Sequence, residues 1–240
     1  MKKIFVTTSW DDGHKLDLKV SELLTKYGLT GTFYIAINQN NRLSDADIRE
    51  ISKNHEIGAH TVNHPRLSAV GLNKAAEEIK NSKTILENIV GKPVEMFAYP
   101  FGDYNEEIKR IVSSLGFVGA RTVRDWVIEA PGDFFEMGTT IHIYPHPWRP
   151  NTGSVRASLR PFFGNIGGII KKKISPKALF FWQPLARGLF DYVYENGGVF
   201  HIWGHSWEIE QYKMWDKLED LLKYISSKEG VEFKTNGEII

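Results

Sequence analysis

Cysteine is absent from this 240-residue chain, which removes disulfides, iron–sulfur clusters and thiolate zinc sites from consideration and leaves the redox compartment open. Long apolar runs are missing too: no window approaches the roughly 20 apolar residues that a membrane span needs. At the start, Ile4-Phe5-Val6 gives way to Thr7-Thr8-Ser9, too short an apolar run for the core of a signal peptide. The expectation is therefore a cytoplasmic protein. The longest stretch without acid is also basic. Between Met137 and Phe190 there is no Asp or Glu, whereas Arg149, Arg156, Arg160, Lys171, Lys172, Lys173, Lys177 and Arg187 all fall there. Interleaved aromatics such as Phe180, Phe181 and Trp182 make 149–187 a candidate for peripheral contact with an anionic membrane surface or an acidic polysaccharide. The net charge of +1 gives no nucleic-acid footprint.

What is present is an ordinary globular composition, 42% hydrophobic and 25% charged, in a chain long enough for one sizeable core. A single domain over 1–240 is expected. Strand-like and helix-like segments alternate through the first 130 residues. Ile4–Thr8, Thr32–Ala36, Glu56–His60, Met96–Tyr99 and Phe117–Val123 read as strands, with helices between them over Leu16–Tyr27, Asp45–Lys53, Leu72–Val90 and Asn105–Leu115. Ser44 is placed to cap the second helix and Gly91 to end the third. Val199–His205 is a further strand, and Trp215 to Ile225 a further helix. This rhythm predicts a parallel sheet, most simply a TIM-like barrel, interrupted at about 145–183 by a basic, Pro/Gly-rich insertion.

The polar clusters share one address. Asp11-Asp12-Gly13 follows the first strand, His60 ends the third, Tyr99-Pro100-Phe101-Gly102 follows the fourth, and His205 ends the last. All are strand C-termini, where barrel enzymes place their sites. One carboxylate with His60 and His64 makes a facial metal set with open positions, and the other carboxylate is left free to move a proton. Metal-assisted hydrolysis needs those parts.

Trp10-Asp11-Asp12-Gly13, Gly31-Thr32-Phe33-Tyr34 and His60-Thr61-Val62-Asn63-His64 together resemble the NodB-type polysaccharide deacetylases, the fourth carbohydrate esterase family. The resemblance covers roughly 3–126 and 197–235 and leaves 137–190 aside. It implies a distorted (β/α)7 barrel of the NodB-homology type and removal of acetyl groups from N-acetylated sugars with one divalent metal ion, usually Zn2+. It further implies Asp11 as general base and Asp12, His60 and His64 as metal ligands. The family's third motif is Arg-x-Pro-aromatic-Gly, whose arginine steadies the base. Here it is Ala98-Tyr99-Pro100-Phe101-Gly102, so that arginine is missing, and Arg121 is the candidate replacement. Tyr99, Pro100 and Phe101 carry the substrate and oxyanion role, through the backbone N–H of Phe101. Asp125-Trp126 stands near the fourth motif, which makes Trp126 a substrate-side candidate. The fifth motif, Leu-x-His, carries the general acid and has two candidates here, His205 at the strand end, which is favoured, and His201 deeper on the same strand face, which is otherwise a supporting or core histidine. Tyr144, His146 and Trp148 are candidates for sugar stacking.

Other readings remain at this level. A hydrolase of small or cyclic amides fits the same fold, and a catalytically impaired glycan-binding module would explain the lost arginine. Iron-dependent oxygenases use the same two-His-one-carboxylate set, but with a close His-x-Asp/Glu pair on a β-sandwich, and neither is expected here.

Overall fold

The structure is a computed structural model that describes residues 2–145 and 167–240. Strand β1 (Ile4–Trp10) is followed by α1 (Asp17–Lys26), β2 (Thr32–Ile35), α2 (Asp45–Ile51), β3 (Glu56–Ala59) and α3 (Leu72–Val90). Then come β4 (Met96–Ala98), α4 (Glu106–Ser114), β5 (Gly119–Arg121) and β6 (Ile141–His142). The chain ends with α5 (Trp182–Asn196), β7 (Gly198–Gly204), α6 (Ser206–Gln211), α7 (Trp215–Ser226) and β8 (Glu232–Phe233).

All strand pairs are parallel, in the order β5-β4-β3-β2-β1-β7-β6, with β8 alongside β1. The sheet curls into the expected distorted (β/α)7 barrel. Its ends are joined by the segment before β6: Met137 N–H donates to Ala120 O at 3.0 Å, and Thr140 N–H donates to His201 O at 2.8 Å. Among the described residues no helix is long and apolar enough to cross a membrane.

Strand alternation sorts the side chains into two sets. One set, including Val6, Trp10, Phe33, Ile35, Phe97, Ala120, Phe200 and Ile202, packs outward against the helices in the main core. The other faces the barrel axis, where Tyr34, Met96, Ala98 and Met137 form a small core of their own. Gly58 keeps room for Tyr34, since a Cβ there would stand 2.4 Å from the tyrosine ring. The axis is otherwise polar and paired, as buried polar groups must be. Thr7 Oγ1 meets Asn236 Oδ1 at 2.8 Å, Asn236 Nδ2 donates to Tyr34 OH at 2.9 Å, and Ser9 Oγ lies 2.9 Å from His201 Nε2.

The local signals hold where they are chemical. Ser44 accepts from Asp47 N–H in a capping box, and Gly91 closes α3 in the left-handed conformation at φ 70°. The expected fifth strand, Phe117–Val123, is shortened to three residues, and Thr122 N–H just beyond it donates to Met137 O at 2.8 Å. Within the expected insertion, Trp182 already begins α5; Pro184 is tolerated there because the first helical turn has no intrahelical partner for its missing N–H.

Candidate active site

The inward-facing residues at the strand C-termini line a cavity of about 460 Å³. Asp11 and Asp12 enter it from β1, and His60 and His64 from the end of β3. Phe101 follows β4, His142 lies on β6 with Tyr144 just after it, and Trp203 lies on β7, His205 at its end and Trp207 in the first turn of α6. The chain is bent hard around this cavity. Asp12, Thr61, His64 and Phe101 all have positive φ, 76°, 67°, 54° and 60°. Such backbone costs on the order of 1–3 kcal/mol per residue and persists where surrounding contacts fix it.

The fixing contacts are visible around His60 and His64. The i,i+4 histidines sit on a loop, not a helix. Buried Glu78 of α3 accepts from Val62 N–H (3.0 Å), Asn63 N–H (2.8 Å) and Asn63 Nδ2 (2.6 Å), and Thr61 Oγ1 accepts from His64 N–H at 3.0 Å. His60 Nδ1 lies 2.7 Å from Ala98 O. A carbonyl can only accept, so Nδ1 carries the proton and Nε2 presents its lone pair to the cavity. Burial lowers the His60 pKa to about 4, despite the opposing charge of Asp11, and so keeps the ring neutral. Burial lowers that of His64 as well. His64 Nε2 stands 3.0 Å from His60 Nε2 and 3.6 Å from Asp12 Oδ1. Trp207 Nε1 donates to Asp12 Oδ2 at 3.0 Å, while Asp12 Oδ1 is buried with no hydrogen-bond donor.

Two neutral imidazole nitrogens and an unsatisfied carboxylate oxygen facing one point are what a divalent cation would complete. The residues present therefore fit a metal ion.

Asp11 is treated differently. It is buried, and the wholly buried guanidinium of Arg121 holds both its carboxylate oxygens through Nη2. Burial pushes the Asp11 pKa up, but Arg121, with His60 and His205 behind it, outweighs burial and holds it at about 2. Arg121 lies between the rings of Tyr34 and Trp203, 5.3 and 4.8 Å from their centroids. It pairs in register with Ala98, the position that holds arginine in the third-motif pattern. Alanine stands where that pattern has arginine, and a guanidinium from the neighbouring strand reaches the aspartate instead.

His205 occupies the end of β7, across the cavity. Its Nδ1 is 2.7 Å from Glu208 Oε2. Burial disfavours the charged ring, but the bond to Glu208 and the nearby Asp12 and Asp11 outweigh it and raise its pKa.

The structure thus brings together Asp11, Asp12, His60, His64, Phe101, Arg121 and His205. Others of the expected set stay outside the cavity. His201 lies below it, its Nδ1 3.2 Å from Gly138 O, and burial lowers its pKa to about 3. Tyr99 is buried with its hydroxyl donating to Phe135 O at 3.2 Å, and Pro100 is buried beside it. Trp126 packs on the outer core, while its neighbour Asp125 lines the cavity and accepts from Thr139 Oγ1 (2.9 Å) and Trp203 Nε1 (3.2 Å). Tyr144 lines the cavity; His146 and Trp148 lie outside the described residues. Of the basic stretch, Lys171, Lys172, Lys173, Lys177 and Arg187 line a different concavity, which shares no residue with this one. Residues 149–166 lie outside the described part. Trp207, Glu208 and His142 were not anticipated. The signal available for the first two was their place just after His205, and for His142 its alternation between Ile141 and Ile143.

Comparison with known proteins decides the family. The family model for polysaccharide deacetylase matches residues 1–120, half of the chain. The chain belongs to the polysaccharide deacetylase family. Among its curated relatives, the peptidoglycan-N-acetylglucosamine deacetylase of Bacillus cereus is 26% identical over 106 residues, 43% of this chain and 38% of that protein. The peptidoglycan-N-acetylmuramic acid deacetylase PdaC of Bacillus subtilis is 24% identical over 106 residues, 43% of this chain and 23% of PdaC. The match thus spans well under half the length of either relative. Among solved structures, a family 4 acetyl xylan esterase from Clostridium thermocellum, in complex with a cobalt ion, superposes with a TM-score of 0.60. That match is at 17% identity and covers 98% of this deacetylase-family chain and 89% of the esterase, which shows a shared fold.

Proposed function

We propose that this member of the polysaccharide deacetylase family hydrolyses acetyl groups from N-acetylated sugars of a polysaccharide or glycoconjugate, with one divalent cation, Zn2+, held by Asp12, His60 and His64. The observation that carries this reading is the division of labour between the two neighbouring aspartates. Asp12 turns an unsatisfied oxygen toward two neutral imidazoles, while Asp11 is kept off that point by Arg121. The names of the relatives, both peptidoglycan deacetylases, support an amino-sugar substrate.

When bound, the cation would supply Lewis acidity, making a water easier to deprotonate and polarising the acetyl carbonyl. The chain's residues do the rest. Asp11, ionised and oriented by Arg121, takes the proton from the attacking water. Phe101, on the strained turn after β4, lines the cavity, and its backbone N–H would stabilise the developing oxyanion. His205, with its raised proton affinity, delivers a proton from Nε2 to the departing amine. Phe101 also packs its ring 4.6 Å from that of His64, with the Arg66 guanidinium 4.5 Å above it, so the mouth offers an aromatic face and a cation to a sugar.

The test is acetate release from N-acetylglucosamine oligomers by the zinc-loaded protein, with a chelated control and the Asp11→Asn variant. Asp11→Asn is expected to keep one equivalent of zinc by elemental analysis and to lose turnover by about 10²-fold or more. Undiminished turnover in that variant, or acetate release that survives chelation, overturns the assignment.

A further inference from the structure

Glu208 has no part in the steps above, yet it is one of the few carboxylates buried beside the cavity. It is the third residue of α6, the short helix that β7 runs into, and His205 is that helix's N-cap. A glutamate at this position commonly reaches back to the N-cap backbone. Here its Oε2 reaches the N-cap side chain instead, 2.7 Å from His205 Nδ1. The same oxygen lies 3.3 Å from Nε2 of His142, whose ring is stacked on Trp203 at 3.8 Å and 16°. One carboxylate oxygen therefore sits between two imidazoles, and the His142 ring is held besides by its stack on Trp203. Asp125 meets Thr139 and Trp203.

We infer that Glu208 is the positioning residue of His205: it accepts the Nδ1 proton, fixes the ring and its tautomer, and leaves Nε2 as the one nitrogen that faces substrate, with His142 buttressing the carboxylate from behind. This rests on the deacetylase reading for its consequence, but not for its geometry.

The chemistry balances without another reactant. His205 enters as imidazolium, with Nδ1–H bound to the Glu208 carboxylate and Nε2–H facing the cavity. As the C–N bond breaks, the amine nitrogen takes the Nε2 proton. His205 is left neutral, still donating Nδ1–H, and Glu208 stays ionised throughout. That last point agrees with its environment: burial opposes the charge, but the bonds to His142 and His205 outweigh it and hold the carboxyl below the usual range. The titratable groups around His205 include Glu208 from its own helix, Asp11 and Asp12 from the end of β1, Asp17 of α1 and His64 of the histidine loop, with His142 of β6 packed at 5.5 Å between centroids.

The closing experiment uses Glu208→Gln and Glu208→Asp in the full chain. Gln is near-isosteric but cannot favour the imidazolium; Asp restores the charge on a shorter arm. Expected for Glu208→Gln is a loss in kcat of about 10- to 100-fold on N-acetylglucosamine oligomers, with KM within about twofold and zinc content unchanged. Glu208→Asp should recover part of it. Hydrolysis of p-nitrophenyl acetate should fall far less, because its phenolate leaves without a proton. Imidazole nitrogen NMR of the wild type should show His205 protonated at Nδ1, and Glu208→Gln should perturb that resonance.

Unchanged kcat in Glu208→Gln overturns the inference, as does an equal loss on both substrates with zinc intact, or a His205 unprotonated at Nδ1. So does a second equivalent of zinc that disappears in His142→Ala, since Nδ1 would then hold a metal rather than a proton. If the wild type releases no acetate from any glycan, the functional reading fails while the NMR result still decides the role of Glu208.

Discussion

Arg121 reaches Asp11 across the barrel interior from β5, three strands beyond the nearest neighbour of β1 on that side, and holds both carboxylate oxygens. A fully buried arginine is tolerated there because its charge meets a carboxylate at one end and two aromatic faces around its plane. Ala98 beside it is small enough to leave the path open.

Removing this guanidinium leaves an unpaired buried carboxylate. Arg121→Ala is expected to lower stability by about 3–5 kcal/mol and to abolish measurable deacetylation. The diagnostic variant is the double substitution Ala98→Arg with Arg121→Ala, which returns the arginine to the neighbouring strand. It should recover at least part of the stability, read by urea denaturation, and part of the turnover. A double variant no better than Arg121→Ala would show that the two strands are not interchangeable sources of the charge.

The histidine loop depends on a residue that touches no substrate. Glu78 holds the backbone of Val62 and Asn63 between His60 and His64. Glu78→Ala is expected to weaken zinc affinity by about 10- to 100-fold, measured by competition with a chromogenic chelator. Glu78→Gln keeps the acceptor oxygen and should lose less. Equal affinities in all three proteins would mean that the loop holds its shape without the carboxylate.

Far from the cavity, at the start of β3, Glu56 accepts from Thr32 Oγ1 (2.6 Å) and Gly237 N–H (3.0 Å). Burial outweighs both bonds and pushes its pKa up from 4.5 to about 7. The folded state therefore binds this proton more tightly than the unfolded chain does. Its contribution to stability is highest below pH 4.5 and is lost as pH rises through about 7. Glu56→Gln should be more stable than wild type at pH 8, on the order of 1–2 kcal/mol after allowance for partial exposure, with the gap closing by pH 4.5. Thermal unfolding of both proteins across that range reads the difference; a gap independent of pH would assign the effect to packing.

Much of this was legible along the chain. The helix over Leu72–Val90 and the cap at Ser44 follow from periodicity and from local hydrogen-bonding chemistry, which act over a few residues. The strand positions of the aspartates and histidines followed from alternation and turn residues, and with them the cavity's location. The short elements β6, α6 and β8 left no comparable pattern. Two to six residues carry too little periodicity, and their identity comes from the strands and loops they pack on.

By itself the sequence determined which carboxylates and imidazoles stand at strand ends, because side-chain direction in a strand is a matter of parity. It could place His201 and His205 on one face but not say which reaches the cavity; depth along the axis separates them. Nor could it say whether Arg121 reaches Asp11, that Trp207 turns Asp12, or that Glu208 meets His205 and His142. Those relations join residues more than a hundred positions apart, or depend on how a short helix leaves its strand. Only the closure of the barrel sets such distances, and the low dielectric inside it makes each pairing decisive.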